Sequence, residues 1–118
     1  IGKGLFSFGK VSESVLEYRK ALRINPYHPA VWNGLGFSLT VEGKTDEAMA
    51  CYMKALEISP RYTEARLNLI RELESQGKFE EALRQMEVGL KNDPGNPALR
   101  RRFAEITRKE DIPGTVNR

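Results

Sequence analysis

A few positions carry residue types that could do chemistry, and their spacing decides what each can do. Gly34-Leu35-Gly36 begins like the loop that brings a dinucleotide's pyrophosphate against backbone amides. Leu39 stands where the third glycine belongs and no strand pattern precedes the segment, so Gly36 reads as a packing glycine inside a helix. The single histidine, His28, removes most zinc, haem and triad arrangements; between Tyr27 and Pro29 it reads as the residue before a helix. The single cysteine, Cys51, excludes an internal disulfide framework and any multi-thiolate metal site. Beside Tyr52 and Met53 it reads as a structural thiol. Glu72, Glu74 and Glu80-Glu81 read as solvated faces. No nucleophile has a base near it and no phosphate-cradling loop is present. No catalytic, cofactor-binding or metal-ligating residue is assigned, no cofactor is expected, and the chain is not expected to be an enzyme.

The elements that could position binding residues are bounded by composition. The chain has 118 residues, 40% hydrophobic and 30% charged, which suits one soluble folded domain and argues against disorder. No run of about 18 apolar residues exists, so no membrane insertion is expected. The net charge is +3, and residues 1–97 hold 13 basic and 13 acidic side chains. The excess therefore sits in the last stretch, chiefly Arg100, Arg101, Arg102, Arg108, Lys109 and Arg118. Such a run is either a patch for an acidic partner or the solvated face of a helix, and we take the second reading. The basic face is too narrow for general polyanion binding, and aromatics do not interleave with it, so no nucleic-acid partner is expected. The chain starts at Ile1 without Met and has no basic-then-apolar leader. We read it as a cut piece of a longer protein; its location is left unassigned, with soluble and cytoplasmic the favoured reading.

A period of 34 residues organises the chain. Pro26, Pro60 and Pro94 keep that step, as do Gly9-Lys10, Gly43-Lys44 and Gly77-Lys78. Glu13, Glu47 and Glu81 follow it, and so do Leu22, Leu56 and Leu90. Within a period the apolar spacing is helical. In the middle unit Val31, Leu35 and Leu39 recur at four-residue steps beside Trp32, then Ala48, Tyr52, Ala55 and Leu56 share a face. Gly43 is expected to end the first helix in the left-handed region, with Thr45 or Asp46 capping the next. Pro60 stops the second helix, while Pro29 and Pro97 suit a first helical turn. The third unit repeats the pattern with Leu67, Leu69 and Leu73, then Phe79, Ala82, Leu83, Met86 and Leu90. The first unit is expected to begin inside its first helix. A single helix over 97–109 follows, with Ala98, Leu99, Phe103, Ala104 and Ile106 as its apolar face, then a frayed tail.

These residues resemble the tetratricopeptide repeat, whose motif sets Trp, Leu-Gly, Tyr, Ala, an aromatic, Ala and Pro in order. Residues 29–62 match with Trp32, Leu35-Gly36, Ala48, Tyr52, Ala55 and Pro60, with Leu39 in the Tyr slot. Residues 63–96 keep Leu69, Ala82 and Pro94 but place Arg66 for Trp and Met86 for the aromatic. Residues 1–28 form a truncated repeat with Gly2, Tyr18, Ala21 and Pro26, and Ser14 in the small slot. The resemblance implies an all-α solenoid of antiparallel helix pairs, a right-handed superhelix closed by a capping helix over 97–109, with 110–118 as a flexible tail. Arg100, Arg102 and Lys109 suit the soluble outer face of that cap. Helix pairs approach closely only through small side chains, so Ile70 in the Gly36 slot should overpack its joint by ~1–3 kcal/mol. Gly89, in the Ala55 slot, is expected to compensate.

The resemblance also implies a concave groove lined by the first helices, holding a protein or peptide partner as an adaptor or scaffold. Carried onto this chain, the lining residues are Lys3, Phe6, Asn33, Phe37, Thr40, Leu67, Arg71 and Arg101, with Ala30, Val41, Glu64, Glu74, Ser75, Glu105 and Arg108 beside them. Phe6, Phe37 and Leu67 make an apolar centre flanked by arginines, the composition of a binding hot spot. Chaperone-binding members clamp a C-terminal carboxylate with Lys and Asn at the slots held here by Asn33 and Phe37, Leu67 and Arg71, then Arg101 and Glu105. Only Arg71 fits, so that clamp is not expected. Two alternatives stay open: end-to-end stacking of copies through Ile1, Leu5 and Phe8, giving a homo-oligomeric scaffold, and recruitment of substrate for an enzyme elsewhere in a longer chain.

Overall fold

The computed structural model describes residues 3–114, with side chains from 9 to 108, and every regular element in it is a helix. The helices are α1 (Lys3–Ile24), α2 (Pro29–Val41), α3 (Thr45–Ile58), α4 (Thr63–Ser75), α5 (Phe79–Asn92) and α6 (Pro97–Gly114). Two compact units share them, the first running to Leu69 and the second starting at Ile70, so the division falls inside α4.

The turns follow from two glycines. Gly43 has φ 83° and Gly77 has φ 76°, left-handed values that residues with a Cβ rarely adopt. Each lets the chain reverse while the last helical carbonyls are satisfied. Lys44 N–H donates to the Leu39 carbonyl at 2.9 Å, and Lys78 N–H to the Leu73 carbonyl at 2.8 Å. The expected caps at Thr45 or Asp46 do not form. The residue ahead of α3 is Lys44, which makes no side-chain cap bond, and Thr45 is already helical. The left-handed turn delivers the chain directly into the helix, and Asp46 and Glu47 instead favour its amide end as first-turn anions. α6 does have a side-chain cap: Asn96 Oδ1 accepts from Leu99 N–H at 3.0 Å, ahead of Pro97.

Two expectations about the ends change. Gly9 keeps the 34-residue register but lies inside α1, so the residues from Lys3 onward continue one helix instead of ending a separate one. α6 runs to Gly114, past the expected limit at 109.

In the first unit, Leu35 and Leu39 of α2 are buried with Ala48, Cys51, Tyr52 and Ala55 of α3. The closeness of that joint rests on Gly36. A Cβ there would lie 2.6 Å from the Tyr52 ring and 3.1 Å from the Ala48 carbonyl oxygen. Gly34 does the same for α1, since its Cβ would lie 2.7 Å from the Tyr18 ring. Both are packing glycines. In the second unit Ile70, Leu73, Ala82, Met86, Leu99 and Ile106 are buried. Ile70 and Met86, which hold the register places of Gly36 and Tyr52, are 1% and 0% exposed.

Candidate partner-binding surface

The geometry of α2 separates the expected groove residues into two kinds. Phe37 and Val41, one helical turn apart, are 53% and 39% exposed, while Leu35, Gly36, Ser38 and Leu39 between and before them are buried. An aromatic and a β-branched side chain thus form an apolar stripe on the outside of a helix whose opposite face is core. Asn33 and Thr40 frame that stripe but spend their polar atoms inside the first unit. Asn33 Oδ1 accepts from Asn68 Nδ2 at 3.0 Å, which joins α2 to the start of α4 beside Leu67. The Asn33 side chain also bonds the Tyr62 phenol. Burial pushes that phenol up from its ordinary value, the Glu64 carboxylate adds to the rise, and the Asn33 bond opposes it. Thr40 Oγ1 lies 2.9 Å from the Tyr52 hydroxyl, so the buried ring has a partner for its polar end.

Leu67 is half-buried. Arg71 and Arg101 are exposed and belong to the second unit. Lys3 and Phe6 lie on α1 with side chains outside the described residues, as do Leu5 and Phe8 of the expected stacking surface, and Ile1 lies outside the described residues altogether.

Four charged side chains, Arg102, Glu74, Glu72 and Arg66, have surroundings that the sequence reading did not give them. Arg102, expected on a solvated cap, is half-buried and pairs with both Glu74 of α4 and Glu105. The bond to Glu105 at 2.9 Å was legible from the i, i+3 spacing; the one to Glu74 joins residues 28 apart. Glu74 and Glu72 are accordingly packed against protein, not on a solvated face. Arg66 is 4% exposed and donates to the Pro60 carbonyl at 2.6 Å. Trp32 Nε1–H donates to the Pro26 carbonyl at 2.7 Å, the same bond one period earlier. Burial pulls the Arg66 guanidinium down from its ordinary value. The signal was present in the register, since Arg66 takes the Trp slot and Pro26 and Pro60 share theirs.

Cys51 is buried, and that burial pushes its thiol up to about 11, with Arg19 opposing and Glu47 adding to the rise. It is held as a packed thiol at neutral pH. His28 is exposed and precedes α2 without a side-chain cap bond. Among the described residues no three His, Cys, Asp or Glu side chains group as metal ligands, and no helix is long and apolar enough to cross a membrane.

The tetratricopeptide repeat family matches residues 39–106, more than half of the chain. The chain belongs to the tetratricopeptide repeat family. Solved structures share its fold, among them the following two. One is the first tetratricopeptide repeat domain of Spaghetti (RPAP3) bound to the HSP90 peptide SRMEEVD, with TM-score 0.74 and 23% identity over 92% of this chain and 86% of that one. At that identity the likeness is one of fold. The other is TTC0263, a thermophilic repeat protein of Thermus thermophilus, with TM-score 0.77 and 27% identity over 84% of this chain. The match spans half of that longer chain. No curated protein matches the sequence.

Proposed function

We propose that this repeat domain is a protein-interaction module, and that it takes a segment of a partner protein on the outer stripe of α2. The observation that carries the reading is Phe37, an aromatic side chain 53% exposed on a helix that is otherwise well packed. A free aromatic surrounded by ordered neighbours loses little conformational entropy on binding, which is the usual setting of an interface anchor. Asn33 and Thr40, fixed by Asn68 and Tyr52, keep the backbone beneath Phe37 and Val41 rigid. Leu67 extends the apolar contact within the first unit. In the second unit Arg71 and Arg101 are the proposed contacts for acidic residues of the partner, and Lys3 and Phe6 the proposed contacts on α1.

The ligand is not expected to be the peptide seen on the Spaghetti domain. Its C-terminal carboxylate would need cationic and amide groups at successive places, and these hold Asn33, already bonded within the fold, apolar Phe37 and Leu67, then Arg71, Arg101 and Glu105, of which Arg71 alone matches the clamp. Titration with SRMEEVD should therefore give no saturable binding. The direct test is quantitative affinity capture from the source lysate with the parent domain and a Phe37→Ala, Leu67→Ala variant, with helicity measured on both. Partners lost from a folded variant support the reading; an unchanged set of partners contradicts it.

A further inference from the structure

The side of α1 that faces away from the core carries large apolar side chains in water. Val15, Tyr18 and Leu22, at three- and four-residue steps, form its inner side: Val15 and Leu22 are buried, and Tyr18 is the ring that Gly34 of α2 admits. The opposite side presents Glu13, Leu16, Glu17, Lys20, Arg23 and Ile24, also at three- and four-residue steps and all exposed. Leu16 is 61% exposed and Ile24 85%. Tyr27, in the turn that follows the helix, is 72% exposed, and its backbone N–H is held by Asn25 Oδ1 at 3.1 Å. Apolar side chains gathered on one exposed face mark an interaction surface.

The charge on this face changes sign along the helix. Glu13 and Glu17 lie toward its start, Lys20 and Arg23 toward its end. The pattern is self-complementary about Lys20. Leu16 and Ile24 stand four residues before and after it, Glu17 and Arg23 three, and Glu13 and Tyr27 seven. Two copies of α1 laid antiparallel, with a two-fold axis at Lys20, set Leu16 against Ile24 of the second copy and Glu17 against its Arg23. Glu13 then meets the turn that holds Tyr27. Each pairing occurs twice, as a two-fold interface requires. A partner of uniform charge would meet a like charge at one end of the face.

We propose that the outer face of α1 is a self-association surface whose partner is a second copy of this chain, bound α1 to α1 and antiparallel. The surface is separate from the Phe37 and Val41 stripe of α2. The dimer is weak. A face of about three turns on a single helix belongs with the small interfaces, below about 1,200 Å² in total, that associate transiently. The two Lys20 ammonium groups also meet at the axis, and each has only the exposed Glu17 of its own chain, at 3.5 Å, to offset the repulsion.

The test is sedimentation equilibrium of the full chain at rising concentration, with helicity measured on every variant. The parent should show a monomer–dimer equilibrium. Glu17→Arg and Arg23→Glu each set like charges across the axis and should weaken the dimer about ten-fold or more. The double variant carrying both exchanges restores the opposite-charge pairing and should recover most of the parent's affinity. Lys20→Leu, which reverses no charge, removes the repulsion at the axis and joins Leu16 to Ile24, so it should tighten the dimer. A parent that stays monomeric at every concentration overturns the proposal and leaves the face to a different protein. A dimer indifferent to both single exchanges overturns it, since association then runs through another surface. Single exchanges that the double variant does not rescue, or a Lys20→Leu dimer no tighter than the parent's, overturn it as well.

Discussion

The repeat formed by α2 and α3 and the one formed by α4 and α5 fill the same positions with different chemistry. In the first, a glycine lets a tyrosine ring lie against the facing helix, and the ring's hydroxyl is tied to Thr40. In the second, Ile70 takes the glycine's place and Met86 the tyrosine's, both wholly buried. A large rigid ring needs a gap opposite it, while a branched aliphatic side chain needs a flexible neighbour, and methionine is the side chain best able to adjust. The same holds for the link to the preceding turn, where an indole N–H in one repeat and a guanidinium in the next donate to equivalent proline carbonyls. What the register preserves is that each joint is buried and that a donor reaches the proline carbonyl, not the residue type.

That comparison can be broken most forcefully at the joints. Ile70→Ala should lower stability by ~2–5 kcal/mol, because it opens a cavity in a filled joint. Gly36→Ala should cost ~1–3 kcal/mol by overpacking an open one. Both are read from the midpoint of urea unfolding. If Gly36→Ala were neutral, the Tyr52 ring would have room to shift and the contrast between the joints would fail. The donor comparison is next: Arg66→Met leaves the Pro60 carbonyl without its charged donor and should cost ~1.5–3 kcal/mol. Arg66→Trp should recover part of that loss, and a variant no better than Arg66→Met would show that the indole and the guanidinium are not equivalent. A smaller effect is expected at Gly89, whose missing methyl we read as room for Ile70. Gly89→Ala should destabilise by ~1 kcal/mol, and unfolding no earlier than the parent would remove that pairing.

Most of the architecture was legible in the sequence because its signals are local and repeated. Gly43 and Gly77 end helices as their register requires, and the apolar spacing of Leu35, Leu39, Tyr52 and Ala55 locates the first unit's core. What the sequence did not reveal has a different cause. Asn33 and Thr40 have groove spacing, but whether a polar side chain faces a ligand or a neighbour depends on what the neighbouring helix offers, here Asn68 and the Tyr52 hydroxyl. Arg102 has the composition of a solvated cap, and only the fold brings Glu74 to it. Gly9 has the register of a turn, yet nothing in its own few residues distinguishes it from Gly43. Thr45 is a residue type that caps helices, but the Gly43 turn places it one residue inside the helix.

The smallest expected effect concerns Cys51. Its folded-state thiol is raised to about 11 from an ordinary value of 9.0. Between those values the unfolded chain loses its proton first, so stability should fall as pH rises from 9 toward 11 and be unaffected by this group below 9. Cys51→Ser should flatten that part of the pH profile of unfolding, and an identical slope in both proteins would assign the loss to other groups.

The most direct test of the functional account is Phe37→Ala alone, measured for thermal unfolding and for affinity toward a partner recovered by capture. An exposed anchor predicts a melting temperature close to the parent's, as for most surface substitutions, and a binding loss of ~1–3 kcal/mol, roughly ten-fold or more in Kd. A melting temperature that falls as it would for Leu39→Ala, with affinity unchanged, would make Phe37 part of the core and contradict the account.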